Sequence, residues 1–456
     1  MQEIDKLLKE IKRIHFIGIG GSGMCPLAEI LHDWGYQLSG SDNNESDNVE
    51  RMKSLGIPVI MGQKAENIKG AEMIVYTAAL LSDNPELVAA KESGIPTFER
   101  ATLFGAISRM YSNCMAVCGT HGKTTVTSML TQIMVQCGKD PSAVIGGTLP
   151  LINSHGRSGK SENFVCEACE FVDTFLQLSP DVAIILNIDE DHLDYFKTLD
   201  NIIASFRKFA SMATKTIIYN GDDENTLKAV EGIDKKKITF GFDSKNDYYP
   251  ENISFTRGAF AKFDVCSNGK TLATIQLGVP GKHNILNALA AIATALDNGV
   301  GIDECIASLS QFKGAGRRFE MLGQYKGITF ADDYAHHPAE LKVTLEAAMK
   351  MDYNAVWAVF QPFTYSRTYL LMDDFAEVLK IPTHTVMTEI MGSRERNTYN
   401  VYTSQLAEKI PDSVWFNTFE EVADYIVKNA KEGDLVITLG CGDIYKAARM
   451  MIKKLN

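Results

Sequence analysis

A lysine followed by two hydroxyl residues, Lys123-Thr124-Thr125, ends a glycine turn, Gly119-Thr120-His121-Gly122, that comes directly after the apolar stretch CMAVC. These residue types suit one kind of ligand. Backbone N–H groups at a helix start, with the helix dipole behind them, face an anion. A lysine there neutralises the outer phosphates of a nucleotide, and the Thr124 hydroxyl can ligate magnesium. The full P-loop pattern, G-x-x-x-x-G-K-[ST], is not met, because Val117 stands where its first glycine belongs. A glycine turn with a surface lysine is the bland alternative. The order strand, loop, lysine, threonine, helix is hard to reach by chance, so nucleotide binding is the expectation for Gly119 to Thr125.

Another glycine loop, HFIGIGGSGM, lies far upstream, the first of the two in chain order, and sets Gly18, Gly20 and Gly23 at G-x-G-x-x-G spacing, with Gly21 and Ser22 between them. Asp42 follows about twenty residues on, at the end of the next strand, where a dinucleotide site holds a ribose. The pattern specifies a pyrophosphate on a helix N-terminus with a ribose nearby. Any nucleoside diphosphate derivative meets it, a nicotinamide dinucleotide included.

Acids follow the second loop. Glu167 and Glu170 close the stretch NFVCEACE, and NIDEDHLDYF brings Asp189, Asp191, His192 and Asp194 to the end of the next one. Ligands gather at the carboxyl ends of strands in an open α/β sheet, and magnesium needs oxygen ligands. A single such aspartate is usually a solvated loop acid. Two clusters at successive strand ends behind a lysine loop favour metal binding. Cys166-x-x-Cys169 has the spacing of half a zinc site, but no second pair follows, so two cysteines at a buried strand end are expected.

The elements that must position these residues alternate. RIHFIGI, a helix ending at Gly35, QLSGSD and MIVYTAAL give a first βαβ series. A second series starts at NCMAVCGTHGKTT, with the strands ENFVCEA, DVAIILNI and TKTIIYNG and a helix in VPGKHNILNALAAIATALDNGV. A third follows GRRFEML, with the strands ITFADDY, NAVWAVF, HTVMTEI and DLVITLG. The fold class is therefore α/β with three domains. Residues 1–108 form a Rossmann-like domain, 109–315 a central P-loop domain with a mostly parallel sheet, and 316–456 a second Rossmann-like domain.

Composition fits this division. The chain has 456 residues, 45% apolar and 22% charged, as in ordinary globular proteins of about three domains. No apolar run is long enough to span a bilayer, and the charged N-terminus lacks the core of a signal peptide, so a cytoplasmic location is expected. A net charge of −12 argues against nucleic-acid and anionic-membrane partners. Nine irregularly spaced cysteines suit a reducing compartment.

Taken together, GTHGKTT, EACE, NIDEDHLDYF, GKHNILNALAA, GAGRRFE, DDYAHHPAE, YSRT and LGCGDIY occur in the order seen in Mur ligases, and the resemblance spans essentially the whole chain. It implies ATP-dependent amide-bond formation. The first loop would hold the diphosphate of a UDP-sugar through Gly18, Gly20, Gly21, Ser22, Gly23 and Asp42. The second would wrap ATP through Gly119, Thr120, His121, Gly122, Lys123, Thr124 and Thr125, with the last domain closing over both. Lys123, Glu170 and His192 would be the catalytic groups, with Thr124 and Glu170 the ligands of one magnesium and His192 a ligand of a second metal near the γ-phosphate and the substrate carboxylate. An imidazole is an unusual partner for magnesium. His283, Asn284 and Asn287 resemble adenine-reading residues, although Asn284 could equally cap its helix. Arg317 and Asp332 would reach ATP. Tyr334, His336, His337 and Arg367 would face the junction of sugar and amino acid.

The resemblance is strongest to the branch that joins L-alanine to UDP-N-acetylmuramate in peptidoglycan precursor synthesis. A recycling branch that adds a preformed tripeptide, and a nicotinamide-dependent dehydrogenase, are the alternatives. One position departs from the family: FQPFTYSRT carries Phe363 where histidine is common, and a phenyl ring neither donates a hydrogen bond nor carries charge. Oligomeric state is not legible.

Overall fold

A computed structural model of the protein describes residues 3–393 and 395–456 and, of Asp194, the backbone. The chain forms two compact units. One comprises Met1–Glu251, Asp264–Ile275 and Leu286–Ser310; the other comprises Asn252–Phe263, Gln276–Ile285 and Gln311–Asn456. No helix among the described residues is long and apolar enough to cross a membrane.

The first unit holds two sheets. In one, the strands Val59–Met61, Gln37–Asp42, Arg13–Ile17, Met73–Tyr76 and Thr97–Glu99 lie side by side in that order, all parallel. The chain starts in the middle and runs to one edge before crossing to the other. The carboxyl end of Arg13–Ile17 is therefore the topological switch point, where such sheets place their ligands. The first glycine loop leaves from there. The expected strand over QLSGSD is found residue for residue as Gln37–Asp42, while MIVYTAAL is strand only as far as Tyr76.

The second sheet runs in the order Lys236–Phe240, Thr216–Asn220, Val182–Ile185, Asn113–Cys118, Asn163–Glu167, Ser142–Leu149, Ser154–Arg157. Its neighbours are parallel except for the last pair. Strands covered on both faces read as continuous apolar runs rather than alternating ones, and Val182–Ile185 (VAII) is buried at every position. The lysine loop follows Asn113–Cys118, in the middle of this sheet. NFVCEACE therefore ends on one side of it and NIDEDH on the other. Aromatic rings fill the core beneath: Tyr111 stacks on Phe164 at 4.7 Å and Phe175 on Phe209 at 4.8 Å. A small sheet of Tyr249–Thr256, Phe260–Ser267 and Lys270–Pro280, absent from the sequence reading, follows in the chain, its residues divided between the two units.

In the other unit the order is Glu320–Tyr325, Ile328–Asp333, Leu435–Leu439, Val356–Phe360, His384–Thr388, Val414–Phe416, parallel but for the first pair. Alternate residues of these strands serve opposite faces. Ala331, Ala358, Phe360 and Ile437 enter one core, and Phe330, Trp357, Val359 and Val436 the other.

Candidate nucleotide and substrate sites

Asn113–Cys118 ends in Gly119, whose φ of 146°, and Gly122, whose φ of 88°, put two turns of the loop in backbone that L-residues avoid. Helix Lys123–Gln136 starts immediately, with Gly122 as its cap residue. A Cβ at Gly119 would lie 2.9 Å from Leu186 Cβ, and one at Gly122 would lie 2.7 Å from Asn287 Oδ1. Close packing thus reinforces the conformational demand.

Asn187, from NIDEDH, clamps the loop from the neighbouring strand. Its side chain accepts from His121 N at 2.8 Å and donates to His121 O at 3.0 Å, while its carbonyl accepts from Thr120 N at 3.0 Å. Thr120 and Asp189 are tied as well, Asp189 N donating to Thr120 Oγ1 at 2.9 Å. The sequence reading gave Asn187 no role. Its signal is the asparagine directly after a buried strand beside the loop.

The Lys123 ammonium donates to Gly119 O at 2.6 Å, to Thr120 O at 3.0 Å and to Glu170 Oε1 at 3.0 Å. Its side chain is 15% exposed and that of Glu170 only 4%. Burial is the largest influence and works against the lysine's charge, but Glu170, Cys169 and Glu167 together outweigh it and raise the ammonium's pKa. The charge is therefore secure at neutral pH. Glu170 Oε2 is buried and accepts no hydrogen bond among the described residues, although the ammonium lies 3.0 Å away. Thr124 Oγ1 donates at 3.1 Å to Glu167, which also accepts from Gly146 N at 2.8 Å. Glu167 is thus a second partner of the loop. Thr125 sits half-buried in the helix's first turn.

Behind Glu170 the chain kinks, with Val172 and Asp173 both at positive φ (54° and 56°). Asp173 anchors the kink, accepting from Ser205 Oγ and from Tyr195 OH. His192, itself at φ 53°, places its ring 4.5 Å from that of Phe171, so the two expected metal-binding segments meet through this pair. Asp194's side chain lies outside the described residues. No group of three or more His, Cys, Asp or Glu able to hold a metal occurs among the described residues. An all-protein cage is not what magnesium needs, since it binds through one or two carboxylates plus phosphates and water. The Thr124 hydroxyl and the uncommitted Glu170 oxygen fit that requirement. Cys169 has its thiol pushed up to about 11, first by burial and then by Glu170, and Cys166 is buried in its strand, as expected of inert thiols.

At the first loop, Gly18 N and Ile19 N donate to Ser41 O at 2.8 and 3.1 Å. Asp42 accepts from Gly20 N at 2.9 Å and Asn44 N at 3.0 Å, so its carboxylate braces the loop. A Cβ at Gly20 would meet Val49 Cγ2 at 2.6 Å. Gly21 N returns to Gly18 O at 3.2 Å, and helix Cys25–Asp33 begins just after Ser22 and Gly23.

In the other unit, Arg317 and Asp332 bind each other, Nε to Oδ2 at 2.8 Å, and Thr438 Oγ1 donates to the second Asp332 oxygen. Arg317 also lies over the rings of Tyr334, at 5.1 Å, and Tyr445, at 4.8 Å. His336 is held by Tyr334 O at 3.1 Å. Burial lowers its pKa against the opposite pull of Glu340, and the nearby Arg367 adds to the lowering. Burial pushes the Tyr334 phenol up to about 12. Phe363 meets His336 edge-on at 6.5 Å. His337 caps helix Pro338–Met349: its Nδ1 accepts from Ala339 N at 3.3 Å, with Glu340 closing a capping box. Asn284 Nδ2 donates to Pro280 O at 2.7 Å, and His283 lies against Gly281, where a Cβ would come 2.4 Å from its ring.

A lysine-tipped glycine loop in the middle of a parallel sheet, with carboxylates at the adjoining strand end, defines a P-loop-type α/β protein. Three family models fit the chain: the catalytic domain of the Mur ligase family over residues 13–112, the Mur ligase middle domain over 117–295, and the Mur ligase glutamate ligase domain over 317–442. The chain belongs to the Mur ligase family of ATP-dependent ligases. It is 44% identical to the UDP-N-acetylmuramate–L-alanine ligase of Acetivibrio thermocellus, over 97% of this chain and 96% of that one. It is 43% identical to the enzyme of the same name from Caldanaerobacter subterraneus subsp. tengcongensis, over 99% of both chains. Among solved structures, the UDP-N-acetylmuramate–alanine ligase of Thermotoga maritima matches with TM-score 0.83 at 29% identity, over 97% of this chain and 98% of that one. A murein peptide ligase from Psychrobacter arcticus matches with TM-score 0.77 at 25% identity, over 98% and 99%.

Proposed function

We propose that the protein joins L-alanine to the lactyl carboxylate of UDP-N-acetylmuramate, converting ATP to ADP and phosphate in peptidoglycan precursor synthesis. The observation that carries this reading is that relatives bearing that enzyme's name match over nearly the full length of both chains at 44% and 43% identity. The tripeptide-adding alternative has less support, since the peptide ligase structure is the more distant of the two neighbours in both identity and TM-score. A dehydrogenase would leave the Lys123 loop without a purpose.

In the proposed reaction a carboxylate oxygen attacks the γ-phosphorus and the bond to the β-phosphate oxygen breaks, giving an acyl phosphate and ADP. The amine of L-alanine then attacks the acyl carbon, loses its proton, and phosphate leaves with the C–O bond. Two anions must meet in the first step, so charge neutralisation and positioning dominate the catalysis. Lys123, kept protonated by Glu170, supplies positive charge at the outer phosphates. The clamp of Asn187 and Glu167 on loop and threonine holds that charge in place. Thr124 and Glu170 would hold one magnesium and His192 a second metal, which when bound supply further neutralising charge. The remaining loop residues, Asn287 against Gly122, and His283, Asn284, Arg317 and Asp332 belong to the proposed ATP contacts. Tyr334, His336, His337 and Arg367 belong to the proposed substrate contacts, and the first loop with Asp42 to the UDP-sugar. Three working parts, 1–108, 109–315 and 316–456, complete the reading.

The test is phosphate release from ATP with UDP-N-acetylmuramate plus either L-alanine or the murein tripeptide. Release with L-alanine is expected. Turnover with tripeptide alone, or release indifferent to the muramyl compound, would overturn the proposal.

A further inference from the structure

We infer that Arg100 binds the diphosphate of the sugar nucleotide and completes an anion cradle whose other wall is the first glycine loop. This rests on the reading that the loop holds a UDP-sugar.

Arg100 opens helix Arg100–Ser108, well outside any motif considered in the sequence. Its side chain lies along Gly23, the last glycine of the loop. A Cβ there would come 3.1 Å from Nη1, 3.2 Å from Cδ and 3.3 Å from Cζ. The glycine thus leaves room for the guanidinium as well as for a ligand. The stem starts from a fixed place, because the helix is pressed against the segment that follows Glu170: a Cβ at Gly105 would lie 2.1 Å from Gln177 O.

No hydrogen bond or ion pair ties the guanidinium down among the described residues. Its ring neighbour is Phe104, 5.9 Å from the centroid. Burial works against its charge and lowers its pKa, with only weak opposition from Cys169 and Glu99. The other arginines nearby are spent: Arg51 on Glu29 at 2.6 and 2.8 Å, Arg109 on Asp5 at 2.7 Å. A half-buried cation with five donors and no hydrogen-bonding partner among the described residues is costly to keep unless an anion arrives to meet it.

The loop's amides divide in the same sense. Those of Gly18, Ile19, Gly20 and Gly21 are committed to protein acceptors that hold the turn. Those of Ser22 and Gly23 donate to no protein acceptor among the described residues. Two uncommitted amides at a helix start and an uncommitted guanidinium beside the same glycine converge on one place. A diphosphate, with oxygens on two phosphorus centres, matches amides on one side and a planar fork on the other. The outer phosphates of ATP already have their own lysine in the other loop.

The experiment titrates the full-length protein calorimetrically with UDP, UDP-N-acetylmuramate and uridine, without ATP, for wild type, Arg100→Met and Arg100→Lys. Arg100→Met should weaken UDP and UDP-N-acetylmuramate roughly tenfold to a hundredfold, leaving uridine binding and the KM for ATP unchanged. Arg100→Lys, which keeps charge but loses the fork, should fall between. Wild-type affinity for UDP in Arg100→Met overturns the inference, as does an equal loss of uridine binding or a fall in kcat with UDP affinity intact. If the methionine variant does not fold, the lysine variant decides: several-fold weaker UDP binding supports the inference, and unchanged affinity overturns it. Failure of the wild type to bind UDP would instead sink the assignment of the loop.

Discussion

The Lys123–Glu170 pair serves chemistry and stability at once, and the two can be separated. Removing one member of a buried ion pair strands the other and costs about 3–5 kcal/mol. Lys123→Met should therefore lower both the melting temperature and the ligation rate, the latter by roughly a hundredfold to a thousandfold or more. Adding Glu170→Gln removes the stranded charge, so the double variant should regain most of the stability and none of the activity. Calorimetry beside a phosphate-release assay tests this. Recovery of activity in the double variant would show that the lysine acts only through the fold. Asp333 offers a different test. Burial pushes its carboxyl from 3.8 up to about 6, although Phe319 N and Ala335 N each donate to it at 2.7 Å. A folded-state pKa above the unfolded one means that the folded form holds the proton more tightly. Its contribution is fully present below about pH 4 and is lost as pH rises through about 6, a change of about 3 kcal/mol at most. Asparagine does not titrate. The stability of wild type relative to Asp333→Asn should fall between pH 4.5 and 6.5 and level off above pH 7 in urea denaturation of the carboxyl-terminal unit. A pH-independent difference would contradict the raised pKa.

The loop that presents Lys123 depends on backbone that only glycine adopts easily, and this too is testable. Gly122→Ala places a Cβ 2.7 Å from Asn287 Oδ1 at a φ of 88°. Gly138, after the same helix, has a φ of 69° with nothing within 4 Å of its added Cβ. Both alanine variants should lose about 1–2 kcal/mol of stability through backbone strain. Only Gly122→Ala should raise the KM for ATP, and steady-state kinetics on the pair would show it. Equal kinetics would mean that the loop's shape matters only for folding. These turns were legible in the sequence because glycine punctuates a change of period from strand to helix, and the strands buried on both faces were legible as apolar runs. Val59–Met61 and Thr97–Glu99 have three residues each, too few for a period to show. Ser142–Leu149 carries two glycines in its middle and did not read as strand. Site residues followed the same logic. Lys123, Thr124 and Glu170 lie inside contiguous motifs. Asn187 and Arg100 gain their roles only when the sheet order brings strand ends and a helix beside the loops. Conversely, the sequence could not show that Asp332, His337 and Asp42 are each satisfied locally, by Arg317 and Thr438, by Ala339 N, and by Gly20 N and Asn44 N.

Both glycine loops and the Lys123–Glu170 pair belong to one compact unit, while the other carries its own core on both faces of its sheet. Units with separate cores melt as separate cooperative blocks unless binding couples them. Scanning calorimetry of the full chain should then show two transitions. UDP engages only the first glycine loop in the proposed reading, so it should move one of them. At a hundred times its Kd, a ligand stabilises the unit that binds it by about 2.7 kcal/mol. For a unit of this size that is roughly 4–5 °C. The second transition should stay where it was. The assignment can be checked with Arg100→Met, which should shrink the UDP shift without changing the transition that UDP leaves alone. A single transition that rises as a whole would show that the two cores unfold together, and the loops' ligands would then stabilise the carboxyl-terminal sheet as well.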